Sequence, residues 1–252
     1  SITRACANHG LDLLISYQRM EDDWHTRYQD SMRADGLILL GYGDYTTYEA
    51  RLRELMRQGT HFARWGSVSS DTSGATIGSD NLGAGRLVGE HLLAEGRRRI
   101  AFIGHADGHY PEFAHRYDGL CDVLRGAGIE PDPALQRDAI TTEEAGLSAT
   151  RDLIASGARF DAIFAGSDLI AIGAMRALAE AGLSVPGDVA VVGFDDIPSA
   201  SLTNPPLTTI QQDTKGAGER LVETLLAQIE GDDLPPARLP TRLIVRGSST
   251  AC

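Results

Sequence analysis

An α/β fold with a parallel sheet, present twice, is the architecture this chain predicts, and three observations carry the prediction. Short, wholly apolar runs such as Ile100–Ile103, Ala162–Ala165 and Val189–Val192 read as strands buried on both faces. Helix-length amphipathic stretches fill most of the gaps between such runs, as the crossovers of parallel strands require. At 252 residues the chain exceeds the usual size of one compact domain, so two lobes of this design are expected.

In chain order the strand candidates are Leu11–Ile15, Leu37–Leu40, His61–Trp65, Thr76–Ser79, Ile100–Ile103, Ala139–Thr141, Ala162–Ala165, Val189–Val192, Thr208–Gln211 and Leu243–Val245. The helix candidates are Thr46–Gln58, Leu82–Glu95, Phe113–Arg125, Glu143–Ala155, Asp168–Ala181 and Gly216–Ile229. In the second of these, Leu82, Leu87, Leu92 and Leu93 alternate with Arg86, Glu90 and Glu95, which marks one apolar stripe on a polar helix.

Composition narrows the function classes. A hydrophobic content of 42% with 23% charged residues describes an ordinary globular protein, and a net charge of −12 argues against binding a polyanion through the overall field. Arg97-Arg98-Arg99 is the one dense basic run, and its place just before an apolar strand suits a solvated turn. Three cysteines, Cys6, Cys121 and Cys252, show no paired spacing, which fits a reducing cytoplasm better than a disulfide framework. No apolar stretch approaches the ~18 residues of a membrane span, and nothing at the start reads as a signal peptide. The opening SITRACANHGLDLLIS reads as the tail of a helix and then a strand, so a start cut away from a longer chain is expected.

The most informative segment is Val185 to Gln212. Its strand Val189–Val192 lies between Gly187-Asp188 and Gly193 and runs to a sheet's carboxyl edge, where open α/β sheets bind ligands. Asp195 and Asp196 stand at that edge, either as two acceptors for the hydroxyls of a small molecule or as caps of a turn.

Other motifs lead away from catalysis and cofactors. GAGRLVG at residues 83–89 looks like a dinucleotide fingerprint, but Asp80-Asn81-Leu82 intervene after the strand. The position ~20 residues on falls in Phe102-Ile103-Gly104-His105, with no acid for a ribose, so the glycines are read as close helix packing. There is no GxSxG elbow, HExxH or P-loop, and no cysteine stands near a histidine partner in sequence. His105, His109 and His115 fall in and just after one loop, at spacings that do not bring all three to one helical face. A loop with a cleft-lining His105 or His109 is preferred to a metal site. No cofactor and no metal is therefore expected.

Five stretches, in order, are similar to the effector-binding core of the LacI/GalR family of bacterial transcriptional regulators. They are RADGLILLG at 33–41, GSDNLGAGRLVGEHLLAEGRRRIAFIG at 78–104, RYDGL at 116–120, DAIFAGSDLIAIGAMRALAEAGLSVPGDVAVVGFDD at 161–196 and RLIVRGSST at 242–250. The resemblance implies two Rossmann-like parallel-sheet subdomains, periplasmic binding protein-like type I, joined by three crossovers. It places 1–105 plus 214–234 in the first and 106–212 plus 238–252 in the second, with the effector between them. Compared with the family, the chain lacks the helix-turn-helix head, the hinge helix, the first strand and the front of the first helix, so this polypeptide should not bind an operator.

The same resemblance nominates site residues. Arg116 is the arginine that donates to effector hydroxyls or a carboxylate, a task suited to its rigid fork, and Asp195 is the acceptor for a pair of sugar hydroxyls. Gln212 matches a polar cleft residue, and Ser167 stands where many relatives carry Asn, implying a different partner or a bridging water. Asp168 beside it reads as a first-turn residue interacting with the helix dipole. Trp65 ends a first-lobe strand, where it either stacks on the apolar face of a pyranose or packs in the core. Tyr42, His105, Tyr110 and Thr141 complete the set.

The reading is a non-enzymatic, effector-sensing and dimerising core of a cytoplasmic regulator, responding to a carbohydrate. Its homodimer face is expected on Thr46–Gln58, Leu82–Glu95 and their second-lobe counterparts. The rivals are an exported periplasmic sugar-binding protein, which would be monomeric, and a sugar-processing enzyme, which would show turnover.

Overall fold

A computed structural model describes residues 1–16, 33–41, 45–68 and 75–250. It divides into two compact units, Ser1–Asp80 with Asp213–Pro240 and Asn81–Gln212 with Thr241–Cys252, so the chain passes between them three times.

The first unit holds a parallel four-stranded sheet in the order β1-β2-β3-β9, formed by β1 (Leu37–Leu40), β2 (Phe62–Trp65), β3 (Thr76–Ser79) and β9 (Ala237–Leu239). Its helices are α1 (Ile2–Asn8), α2 (Tyr45–Arg57) and α7 (Thr214–Glu230). Leu39, Leu52, Leu55 and Phe62 form one apolar cluster, and Ala63, Ile77 and Leu221 form another against which Trp65 packs. Burying β2 and β3 on both faces explains why their sequences do not alternate.

The second unit holds six strands in the order β10-β8-β7-β6-β4-β5. They are β4 (Ile100–Ile103), β5 (Gln136–Arg137), β6 (Ala162–Ala165), β7 (Ala190–Asp195), β8 (Thr208–Gln212) and β10 (Thr241–Ile244). The helices are α3 (Asn81–Ala94), α4 (Pro111–Gly126), α5 (Glu143–Ala155) and α6 (Asp168–Glu180). Phe102, Phe164, Val191, Val192 and Phe194 are among the fully buried strand residues of its core.

Helices α3 and α4 approach through glycine. A Cβ on Gly85 would stand 2.1 Å from the Arg116 carbonyl oxygen, and one on Gly119 would stand 2.2 Å from that of Leu82. Gly85 and Gly89 of GAGRLVG thus serve close helix packing. The α5–α6 pair repeats the device, with Gly146 against Ile170 and Gly173 against Glu143.

Several expectations are corrected. The boundary expected near residue 105 lies at 80–81, because β4 pairs with β5 and β6 and α3 packs on α4, all in the second unit. Leu11–Ile15 is not a strand; Leu14 and Ile15 are 61% and 71% exposed, and among the described residues no strand offers it a ladder. Ala139–Thr141 is not a strand either. Its place is taken by Gln136–Arg137, which pair with Phe102 and Ile103, while Ile140 is exposed. Strand β10 runs antiparallel to β8, so the second sheet is mixed rather than purely parallel. Ala237–Leu239, not anticipated as a strand, closes the first sheet against β3.

Candidate functional site

The site develops at the carboxyl edge of the second unit's sheet, where β4, β6, β7 and β8 end in Gly104-His105, Gly166-Ser167, Asp195 and Gln212. Helix α4 begins with Pro111 in its first turn, where proline's missing N–H leaves no helical bond unmade, and brings Arg116 onto this edge. Arg116 is 6% exposed. Its Nε donates to Asn81 Oδ1 at 2.8 Å, and a terminal nitrogen donates to the Gly166 carbonyl oxygen. The guanidinium lies over the Phe194 ring, 3.4 Å from its centroid, and 5.0 Å from that of Phe113. Stacking and hydrogen bonding together fix the plane of the fork.

Asp195 and Asp196 follow Phe194 with φ of 117° and 53°, in the half of conformational space that favours glycine. Side chains hold each of them there. Gln212 Nε2 donates to Asp195 Oδ1 at 2.6 Å; Arg246 donates to Asp196 Oδ1 at 2.6 Å and Gln211 Nε2 to Asp196 Oδ2 at 2.7 Å. Burial pushes the Asp195 carboxyl up to about 6, against the opposing pull of Arg116 and the Gln212 hydrogen bond.

Asp168 is wholly buried and receives two hydrogen bonds, from Thr209 Oγ1 to Oδ1 at 2.5 Å and from the Ile197 N–H to Oδ2 at 2.9 Å. Burial pushes its carboxyl up to about 7, and the charges of Asp195 and Asp196 add to the rise while both hydrogen bonds oppose it. Far from a plain first-turn residue, it joins α6, β8 and the turn after β7.

The remaining nominees are dispersed. Ser167 is wholly buried and caps α6, its hydroxyl accepting from the Ile170 N–H at 3.3 Å. Tyr110 precedes α4 and stacks on His105, with ring centroids 4.2 Å apart, and more distantly on Phe113. His105 is half-buried, with Nδ1 3.7 Å from Asp138 and 3.9 Å from Asp107. Thr141 is exposed, and Thr142 rather than Thr141 caps α5. Trp65 belongs to the first unit, at the end of β2. Tyr42 lies outside the described residues. Among the described residues no group of three His, Cys, Asp or Glu side chains is placed to hold a metal ion.

The structure therefore brings Arg116, Asp195 and Gln212 together and adds Asn81, Phe194, Gln211 and Arg246, which sequence reasoning passed over, and Asp168, which it read only as a first-turn residue. Asn81, Phe194 and Arg246 all stood inside quoted motifs, but Arg246 meets Asp196 across 50 residues of chain, so no local signal pointed to that pairing. The arrangement presents charged and amide donors and acceptors around an aromatic floor. Such a set can donate to and accept from the hydroxyls of a small molecule, and no nucleophile–base pair stands among these residues.

Residues 90–249 match the model of a family described as periplasmic binding protein-like domain. The HTH-type transcriptional regulator CelR of Thermobifida fusca is 37% identical over 67% of this chain and 50% of its own. The ribose operon repressor of Escherichia coli K12 is 31% identical, covering 98% of this chain and 76% of its own. The chain thus spans about half to three-quarters of these relatives' length. A solved CelR–cellobiose complex superposes with a TM-score of 0.88 at 29% identity, over 98% of this chain and 76% of that one. A LacI-family regulatory protein from Chloroflexus aggregans superposes with 0.87 at 27% identity, over 98% and 89%. The family match over residues 90–249, with 31% identity to a relative across 98% of the chain, places this chain in the LacI/GalR family of transcriptional regulators, as a ligand-sensing, periplasmic-binding-protein-like core.

Proposed function

We propose that this core binds a carbohydrate effector at the carboxyl edge of its second unit, with Arg116, Asp195 and Gln212 as the anchoring polar groups. The observation that carries the reading is the braced geometry of Asp195: a left-handed, half-buried carboxylate, held by Gln212 beside a stacked arginine. An acceptor so preorganised suits a pair of vicinal hydroxyls, because the cost of ordering it has been met in folding. The CelR structure is described as a complex with cellobiose, and another relative is named for a ribose operon, which supports a sugar for this chain. His105, Tyr110, Ser167 and Thr141 are the further candidates for contact with it.

The effector acts by population shift, favouring one of two conformational states of the core, and in the whole regulator that choice alters operator binding through a DNA-binding head. The core works as a homodimer in the cytoplasm and turns nothing over. No helix of the described residues is long and apolar enough to cross a membrane. A thermal-shift screen of mono- and disaccharides tests the effector class, followed by calorimetric titration of Asp195→Asn with each hit. A sugar that stabilises the parent but not the variant supports the reading, whereas equal affinity for both removes Asp195 from the site.

A further inference from the structure

Asp195 and Asp196 are the only non-glycine residues with positive φ among the described residues, so the turn after β7 is the place where backbone strain is held. Strain of this kind persists only where surrounding contacts over-determine it. Three consecutive residues are indeed tied by side chains: Asp195 by Gln212, Asp196 by Gln211 and Arg246, and the Ile197 N–H by Asp168. The last tie differs from the others because it comes from within the core.

A first-turn acid has no need of burial to serve a helix dipole. Glu143 does so at the start of α5 while exposed. Asp168 instead is wholly buried, and the backbone has been cleared for it: a Cβ at Gly193 would stand 2.2 Å from its Oδ1. Desolvating a carboxyl outweighs what the dipole returns, so the two hydrogen bonds must account for its place.

We propose that Asp168 is the positioning residue of the effector site: one carboxyl oxygen on the Ile197 N–H and the other on Thr209 Oγ1 hold the left-handed turn that presents Asp195 beside Arg116 and Gln212. Asp168 does not touch the ligand. The inference rests on the reading of Asp195 as an effector contact, but its test needs no ligand.

The charged groups facing this carboxyl are Asp195 and Asp196, the second paired with Arg246. In the ligand-free chain, carboxyl-carbon NMR would follow the Asp195 titration and hydrogen exchange would follow the Ile197 amide. In Asp168→Ala the Asp195 midpoint should fall by about one pH unit toward the ordinary aspartate value as water reaches the relaxed turn. Exchange at Ile197 should quicken at least about tenfold while β6 keeps its protection. Asp168→Asn should restore both, since an asparagine can accept from Ile197 and donate to the Thr209 hydroxyl. Thr209→Val, which deletes one partner, should move both in the same direction by less, and it decides the matter if the alanine variant does not fold.

A purely structural Asp168 would lower the melting temperature without moving the Asp195 titration, and that result would overturn the proposal. So would an asparagine variant that behaves like alanine, because charge rather than the hydrogen-bond pair would then set the turn. Sugar binding by the parent is measured separately. Its absence would remove the effector role of Asp195 and leave the positioning result intact.

Discussion

Arg116 sits deeper than a cleft arginine needs to, and this changes what its removal does. The side chain supplies donors to Asn81 and to the Gly166 carbonyl and covers the Phe194 ring, so Arg116→Ala removes these buried interactions as well as the proposed ligand contact. We expect it to cost about 1–3 kcal/mol of folding stability, together with about ten- to a hundredfold in sugar affinity. Asp195→Asn is the cleaner probe, losing affinity in the same range at little cost in melting temperature; calorimetric titration beside a denaturant melt separates the two variants. The buried carboxyls also link folding to pH. Asp195 and Asp168 are raised to about 6 and about 7, above the ~3.9 of an unfolded aspartate, so the folded chain holds protons that the unfolded chain has released. Their stabilising contribution is complete below the unfolded value and is lost as pH rises through 6 and 7. Scanning calorimetry should show the melting temperature of the parent rising on acidification from about pH 7.5 to 5.5. The slope should flatten in Asp168→Asn, whose amide stays neutral. An unchanged slope would mean that Asp168 is ionised throughout.

Among the elements, the helix pairs α3–α4 and α5–α6 show how small residues set distance. Gly119 meets the Leu82 carbonyl so closely that a methyl group has no room, whereas a Cβ on Gly126, in the last turn of the same helix, meets nothing within 4 Å. Gly119→Ala should therefore destabilise by about 1–3 kcal/mol through overpacking. Gly126→Ala should be neutral or add up to about 1 kcal/mol, by restricting the unfolded chain and raising helix propensity. Urea melts of the two variants test the contrast, and equal effects would show that helix propensity rather than packing governs α4. The strands were legible where burial was two-sided: β3, β4 and β6 are buried throughout and stand where the sequence places them, and β1 does so by its apolar run although Leu40 is exposed. Legibility failed at edges. Gln136–Arg137 and Ala237–Leu239 carry polar residues and become strands only because β4 and β3 present ladders to them.

At the scale of the whole molecule, a sugar at a hundred times its dissociation constant should add about 2.7 kcal/mol of stability, visible as a raised melting temperature. Sedimentation of the parent at micromolar concentration should show a dimer, in keeping with the two-fold pairing of operator readers; a monomer carrying the same sugar affinity would separate sensing from assembly. Residue pattern alone determined the α/β class, the buried strands and, among the described residues, the six longer helices, these to within about two residues, the usual uncertainty of helix ends. Resemblance to the family nominated Arg116, Asp195 and Gln212, which the fold gathers on one sheet edge. Apolar periodicity reports which face of a segment avoids water, and that is a local property of the chain. Which segments become neighbours is not local. The boundary at 80–81, the antiparallel β10, the tie of Asp196 to Arg246 and the burial of Asp168 each depend on residues far apart in sequence. Only tertiary structure decided them, because a hydrogen-bond partner or a desolvated carboxyl is set by what packs against it, and no window of sequence contains both sides of that contact.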